Sequence, residues 1–308
     1  MPFLKYLSAV LLCCFVLLRL PGFCNVPIPA DTLTLEENSV NKPRLLAMGS
    51  GLAVGYTATL VALNEAWYKE QRNAGFHFFN DNKDWLQQDK AGHFYSSFHF
   101  GRTGIEILRG AGVPEKKAVL YGGLLGIVLQ APIEFFDGFQ AEYGASAGDL
   151  IANSLGAAAV ISQELAWGEI RIMPKFSFNT TGYAALRPKV LGTNLPEQVL
   201  KDYNGQTYWA SVNVGSFLKN ASSYPKWLNV AVGYGVEEIV YNEKPLNQEL
   251  GLQAYRQFYL SPDINLMHFK GKNKVINTML YFLSIVKVPA PTLEYSNRKG
   301  FRFHSVYF

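Results

Sequence analysis

Three short stretches of the chain place charged or amide side chains inside otherwise apolar sequence that is compatible with helices. In each stretch two polar residues are three or four positions apart, a spacing that puts both on one face of an α-helix. The pairs are Asp89 with His93, Glu134 with Asp137, and Asp149 with Asn153. Packing three such helices together could bring all six groups to one place, so these residues are the candidate site.

Four kinds of chemistry are open to this polar cluster. Asp89 could fix the tautomer of His93 for general acid–base catalysis. One histidine with carboxylate oxygens could instead hold Mg²⁺ or Mn²⁺, or the groups could bind a lipid or glycan headgroup. Because an unpaired buried charge costs several kcal/mol, the groups could also form a structural network among themselves. We favour the network, assign no catalytic residue and no cofactor, and leave any metal or small-molecule ligand open.

Several familiar enzyme signatures are absent from the sequence. There is no Walker lysine loop, no His-Glu-x-x-His and no dinucleotide-binding glycine pattern. Asn80 to Asp84 alternates oxygen-bearing side chains, but Trp85 and Ala91 stand where a calcium loop needs Gly and Glu. We therefore expect a protein that is not an enzyme.

The stretch from Leu45 to Leu63 carries no charged residue. Its length just meets the criterion for a membrane span, and Gly51 and Gly55 have a spacing that permits close helix approach. A buried helix of a soluble bundle explains the stretch equally well, so both interpretations stay open.

Three further helices are predicted after this stretch. One covers Asp89 to Arg109, and Pro114 suits the first turn of the next. Ser146 and Asp149 form a capping box that starts the last helix. Residues 45–170 are therefore predicted to form a four-helix bundle with short connections.

The character of the sequence changes after residue 170. Aromatic and β-branched residues alternate with polar ones between Gly, Asn and Pro breaks, which predicts an antiparallel β-rich region over residues 171–308 and an α+β fold overall. About six or seven strands are fewer than the eight of the smallest single-chain membrane barrels, so we expect a sheet or a partial barrel. The predicted strands are Lys175 to Leu186, Gln206 to Phe217, Trp227 to Ile239, Leu252 to Leu260, Ile264 to Lys270, and Thr292 to Phe308 with a break near Gly300. Asn273 to Val286 fits either a strand or a short amphipathic helix.

The polar motifs also carry a resemblance. They are DKAGHF at residues 89–94, the pair Glu134 and Asp137, and G.S.GDL.AN..GA at residues 144–157. In this combination the chain resembles the VanZ-like superfamily and, more closely, the YfiM-type family of envelope proteins, over roughly residues 45–170. The remainder resembles an extension of Bacteroidetes members of that group. The resemblance implies an envelope protein with a helical bundle and brings no established activity.

The first 24 residues have the features of a secretory signal peptide. Lys5 supplies positive charge, Leu7 to Leu18 forms the apolar core, and Gly22 and Cys24 are small residues at the −3 and −1 positions. We predict cleavage after Cys24, with lipidation of Cys24 and an uncleaved anchor as the alternatives. Phe23 disfavours lipidation, which prefers a small residue there. Residues 25–44 are predicted to be a Pro-containing polar linker.

Composition limits the partners of the chain. Of its 308 residues 49% are hydrophobic and 17% charged, and the net charge of +4 forms no basic cluster interleaved with aromatic residues. Nucleic acid is therefore not expected as a partner, whereas a membrane is expected and an envelope protein is possible. We expect an exported protein at the outer membrane, or at a periplasm-facing membrane surface, of a Gram-negative bacterium. Its predicted role is structural or accessory; the alternative is an envelope enzyme or binding protein for a lipid, glycolipid or peptidoglycan precursor.

Overall fold

The computed structural model describes residues 40–64, 74–218 and 224–308, so the predicted signal peptide lies outside the described residues. The fold is α+β, as predicted, with eight α-helices and an antiparallel six-stranded sheet in the described part. The chain divides into two compact units, here called the helical unit and the sheet unit. Of the described residues, the helical unit holds 40–64, 74–79, 96–168 and 270–279, and the sheet unit holds the rest.

Four long helices lie where the sequence predicts helices. They are α1 (Lys42–Leu63), α2 (Gln88–Gly110), α3 (Glu115–Asp137) and α4 (Ala147–Trp167). Their ends follow from local chemistry. The Asn41 side chain accepts the N–H of Arg44 at the start of α1, Ser146 accepts the N–H of Asp149 at the start of α4, and Gly168 ends α4 with a φ of 66°. The predicted joining of all four helices into one bundle stays a prediction.

Helices α2 and α3 pack against each other through glycine. A Cβ atom added to Gly101 would lie 2.7 Å from the carbonyl oxygen of Gly123, and one added to Gly104 or Gly122 would collide with the backbone of the facing helix. The two helices run antiparallel, since the contact residues ascend along α2 as they descend along α3. This close approach requires glycine and fixes the register of the pair.

Helix α1 contacts other described residues of the helical unit through Met48, Leu52 and Tyr56. Met48 is buried against Ile107 of α2, and Leu52 packs on the same contact. The Tyr56 hydroxyl donates to the carbonyl oxygen of Leu129 in α3. These contacts hold α1 on the other helices while leaving most of its surface exposed.

The outer surface of the helical unit is apolar. Exposed large apolar side chains include Leu46 and Val54 on α1, Val128 on α3, and Ile151 and Leu155 on α4. Among the described residues, α1 and α3 are long and apolar enough to cross a membrane, by length and composition. Only 6% of the most apolar window of α1 is buried. The core helix of a soluble protein would bury far more of its apolar surface.

Eight strands are present in the described part of the chain. In the helical unit, β1 (Phe78–Phe79) and β2 (Ala145–Ser146) form a short parallel pair. In the sheet unit, each of the remaining strands pairs with its neighbours in sequence. These strands are β3 (Ile172–Phe178), β4 (Gln206–Val212), β5 (Leu228–Glu237), β6 (Tyr255–Ile264), β7 (Ala290–Ser296) and β8 (Gly300–Tyr307).

The inner face of this sheet holds aromatic and polar side chains. Trp209 of β4 and Tyr259 of β6 are buried together, and Tyr307 of β8 packs on both, with its ring centroid 4.7 Å from that of Tyr259. The Tyr307 hydroxyl lies 3.1 Å from Oγ1 of Thr207 in β4. Because β8 reaches β4 across this face, the sheet is strongly curved.

Five of the six predicted strand segments contain strands, and the last of them, with its break near Gly300, corresponds to both β7 and β8. One prediction is wrong. Ile264 to Lys270 is not a strand: Ile264 is the last residue of β6, and Leu266–Phe269 is a 3₁₀ turn. The Asn265 side chain accepts the N–H of Met267 and so favours a turn over extended backbone. The predicted first strand also stops at Phe178, and Tyr183–Leu186 is a further 3₁₀ turn.

Four shorter helices complete the described part. They are α5 (Pro188–Leu191), α6 (Leu195–Lys201), α7 (Lys244–Glu249) and α8 (Lys274–Leu283). Helix α8 lies within Asn273 to Val286, the stretch whose sequence fits either a strand or a short helix, so the helix is the correct alternative. Beside α5, a small core in the sheet unit buries Ala184, Leu191 and Val240.

Candidate functional site

Three of the six candidate residues are buried inside the helical unit. Glu134 near the end of α3, Asp149 in the first turn of α4, and Asn153 one turn later are only 4%, 5% and 1% exposed. Carboxylates are rarely buried to this degree unless they are paired or hydrogen-bonded. The three side chains are therefore buried polar groups within apolar helices.

Glu134 and Asp149 are linked through Ser146. The Glu134 carboxylate accepts the backbone N–H of Ser146 at 3.0 Å, and the Ser146 hydroxyl accepts the N–H of Asp149 at 3.1 Å. The Ser146 half of the capping box predicted for the start of α4 is thus confirmed, and Glu134 accepts the Ser146 N–H that the prediction assigned to Asp149. Glu134 extends this cap from a neighbouring helix, which ties the end of α3 to the start of α4.

Ser146 is the centre of the segment Gly144-Ala145-Ser146-Ala147-Gly148, which has the Gly-x-Ser-x-Gly spacing of many hydrolase nucleophiles. Its backbone is extended, with φ −99° and ψ 121°, and its side chain is buried. A nucleophile elbow instead places its serine on a sharp, strained turn with the hydroxyl exposed. The geometry therefore supports helix capping rather than nucleophilic catalysis.

Ser97 marks the junction of α2, α3 and α4. Its hydroxyl donates to the carbonyl oxygen of Asn153 in α4 at 2.6 Å. A Cβ atom added to Gly126 of α3 would collide with the Ser97 carbonyl. The sequence analysis missed Ser97, because a single serine in an aromatic run carries no spacing signal.

The other three candidates occupy less buried positions. Asp137 is the last residue of α3 and is half-buried. Asp89 and His93 lie in the first two turns of α2 and are also half-buried. Lys90 bridges Asp89 and Asp81, with its ammonium 3.0 Å and 2.6 Å from the two carboxylates. Asp89 is therefore part of an ion-paired group in the sheet unit.

A second polar network in the helical unit centres on Arg109 at the end of α2. Its guanidinium donates to Glu106 at 3.1 Å, to the buried Glu164 of α4 at 2.5 Å, and to Glu115 at the start of α3. It satisfies the carboxylate of Glu164 and joins three helices. Only the Glu106–Arg109 spacing was visible in the sequence.

The sheet unit contains a buried ionic cluster of its own. Lys175 of β3 and Asp263 of β6 are 2.6 Å apart and are 2% and 0% exposed. Ser211 donates to the same Asp263 oxygen at 2.6 Å, and the Lys287 ammonium lies 3.9 Å from the other oxygen. Burial lowers the pKa of Lys287 to about 8; Asp263 opposes the shift and Lys175 adds to it. No spacing pattern predicts this cluster, since its members lie far apart in the chain.

The described structure thus defines an α+β protein whose helical unit has an apolar exterior and buried carboxylates. Residues 75–163, which include all six candidate residues, match the family described as predicted periplasmic lipoprotein (DUF2279). The match covers less than a third of the chain, spans α2, α3 and most of α4, and supports a periplasmic or envelope location. No curated protein and no solved structure matches the chain.

Proposed function

We propose that this chain is a non-enzymatic structural or accessory protein of the bacterial cell envelope, held in the outer membrane by its helical unit. The observation that carries the proposal is the apolar exterior of helices α1 and α3. Lipid tails are the surroundings that favour such an exterior, since apolar surface in water is unfavourable. The family match adds an envelope location.

The interior of the helical unit supports the same proposal. Polar side chains such as Glu134, Asn153 and Glu164 are buried between its helices, whereas many of its large apolar side chains face outward. Ionisable residues of membrane-embedded helices take inward positions of this kind. Glycine contacts such as that of Gly101 with Gly123 are likewise the means by which helices associate in lipid.

Fractionation tests the membrane proposal. We expect the native chain in the outer-membrane fraction and resistant to extraction by alkaline carbonate. Replacing both Leu46 and Val54, which are exposed on α1, by aspartate should release the protein or prevent its accumulation, because charges are costly among lipid tails. The matched double alanine variant should behave as the native chain. A native chain found in the soluble pool would refute the proposal, and so would equal membrane retention of both double variants.

A second candidate function rests on the buried carboxylates. Two of the helices that meet at Ser97 carry a buried carboxylate one or two turns beyond that junction. These residues are Asp149 on α4 and Glu134 on α3, and both contact Ser146. One turn advances a helix by about 5.4 Å, so we propose that the two carboxylates converge. Their oxygen atoms would suit a divalent ion or a headgroup of a lipid, glycolipid or peptidoglycan precursor.

Two substitutions distinguish a structural role of these buried carboxylates from a functional role. If the cluster is structural, Glu134→Ala should cost about 1–3 kcal/mol of stability, the range for a buried polar group that loses a partner, because the Ser146 N–H loses its acceptor, and any phenotype should follow protein abundance. Asp149→Asn should then be tolerated, because it keeps the shape and the backbone N–H that Ser146 accepts. Abundance by immunoblot and thermal melting in detergent measure both effects. A folded, abundant and inactive Asp149→Asn protein would establish the second candidate instead.

The resemblance to VanZ-like proteins, and to the longer Bacteroidetes members in particular, belongs to this proposal. It rests on the DKAGHF and G.S.GDL.AN..GA motifs, which lie on α2 and at the start of α4. Both motifs fall inside the part of the chain that matches the envelope family. The resemblance is also compatible with a role that this chain performs together with an envelope protein partner.

A further inference from the structure

An unbroken row of aromatic residues crosses the outer face of the sheet. Each of the six strands contributes one residue, and each residue is the register partner of the next. The row is Phe176, Tyr208, Tyr234, Phe258, Tyr295 and Phe301. Tyr95 of α2 packs on the first two members, whereas Phe258, Tyr295 and Phe301 are exposed.

A row of non-aromatic apolar residues follows two positions further along the strands and ends in one phenylalanine. Its members are again register partners across all six strands. They are Pro174, Ala210, Val232, Leu260, Leu293 and Phe303. A third, shorter row continues the apolar surface with Ile172, Val212, Val230 and Pro262. Phe301 and Phe303 are 72% and 71% exposed, so the surface is most open at β8.

The opposite face of β3 to β7 is buried and carries many polar residues. Along β6 the inward residues are Gln257, Tyr259, Ser261 and Asp263, and their polar groups are hydrogen-bonded inside the sheet unit. Gln257 donates to Glu294, for example, and Ser261 to the carbonyl of Pro291. A water-soluble sheet has the reverse arrangement, with apolar residues inside and polar residues outside. Strands that face lipid alternate as these strands do.

Along β6 the outward residues are also ordered by polarity. Arg256, which is exposed, stands one outward position beyond the aromatic Phe258, and the apolar Leu260, Pro262 and Ile264 follow. Charge, then aromatic ring, then apolar side chain is the order met on passing from water through the headgroup layer into lipid tails. From Phe258 to Ile264 the strand advances about 20 Å, somewhat less than the apolar band of outer-membrane barrels, which is about 25 Å tall.

We propose that the outer face of β5 to β8 lies against the acyl chains of the membrane, with the aromatic row at the headgroup level. This inference rests on the proposed membrane location and extends it to the sheet unit. A protein partner would need apolar surface but would not require the aromatic residues to form one level across the strands. The alignment of the aromatic residues at one level across the strands therefore favours lipid over a second copy of the chain.

Site-directed spin labels test the proposal in phospholipid vesicles of phosphatidylethanolamine and phosphatidylglycerol. In a full chain whose cysteines at positions 13, 14 and 24 are serine, single labels are placed at Leu260→Cys and Phe303→Cys. Glu249→Cys, exposed on α7, is the matched control. We expect the two sheet labels to be several-fold more accessible to oxygen than to a nickel chelate, and the control label to show the opposite preference.

Two results would overturn the inference. Nickel accessibility at Leu260 or Phe303 equal to that at Glu249, in protein that stays with the vesicles, would place the sheet face in water and leave the proposal for the helical unit intact. Strong spin–spin broadening at Phe303, absent at Glu249, would identify a second copy of the chain as the occupant. Carbonate extraction of the Leu46 and Val54 variants tests the helical unit separately, so the two failures are distinguishable.

Discussion

Replacing Asp263 by alanine should cost about 3–5 kcal/mol of unfolding free energy, the range for removing one partner of a buried ion pair. The substitution leaves Lys175, which is almost fully buried, without its carboxylate, and Lys287 loses the same counter-ion. Ser211 also loses the acceptor of its hydroxyl. Denaturant unfolding of the purified protein in detergent, followed by tryptophan fluorescence, measures the loss, because Trp209 lies in the same interior.

Two controls define this result. Glu169→Ala removes an exposed partner of Arg171 and should change stability by no more than about 0.5–1 kcal/mol, as exposed ion pairs do. Asp263→Asn keeps the side-chain shape and an acceptor for Ser211 but removes the charge, so it should lose most of the same stability. If Asp263→Ala unfolds at the denaturant concentration of the native chain, the ionic cluster is not a stabilising element of the sheet unit.

Gly122→Val should cost about 3 kcal/mol or more and lower the amount of folded protein. A Cβ atom at Gly122 would collide with the backbone of Ile105 and Gly104 in the facing helix, so α2 and α3 would have to move apart. Overpacking against side chains costs about 1–3 kcal/mol, and backbone yields less readily than a side chain. Thermal melting in detergent and abundance in the membrane fraction are the measurements.

The matched control for Gly122 is Gly55→Val on α1. No atom lies within 4 Å of a Cβ added at Gly55, so the same change of residue type should leave stability within about 1 kcal/mol or raise it slightly, because glycine is a poor helix former. Equal losses for the two variants would assign the effect to helix propensity or lipid contact rather than to the contact between α2 and α3.

The helices were largely predictable because their signals are local. Ser146 at the start of α4, Pro114 before α3 and Gly112 after α2, with a φ of 78°, each act within one turn of the chain. The strand order was predictable for a similar reason, since each strand pairs with its sequence neighbour. The failure at Ile264 to Lys270 is a turn formed by Asn265, whose polar side chain was overlooked beside apolar residues.

The candidate site was predictable only in part. Helical spacing identified Glu134, Asp149 and Asn153 as polar positions, and all three are buried. The contact of Ser97 with Asn153 and the pairing of Lys175 with Asp263 join residues far apart in the chain. Such pairs leave no periodic trace in one sequence, because they depend on how separate elements pack.

The outward apolar rows were missed for a related reason. Alternation of apolar and polar residues along one strand indicates that the two faces of the sheet differ in polarity. In a soluble protein the apolar face is the inner one. Only the register across β3 to β8 reveals that the aromatic residues form one level and that the polar residues enclose the interior. The sequence analysis had already noted the abundance of aromatic residues, but it could not assign them to a side.

The pairing of each strand with its sequence neighbour also bears on the order in which the sheet unit forms. The hairpins from β4 to β8 need only local contacts, which close quickly, whereas the pair Lys175 with Asp263 and the packing of Trp209 with Tyr307 join the first strands to later ones. Interactions of this second kind should be absent from the folding transition state. They would therefore form only after the transition state, and their loss would accelerate unfolding far more than it slows refolding.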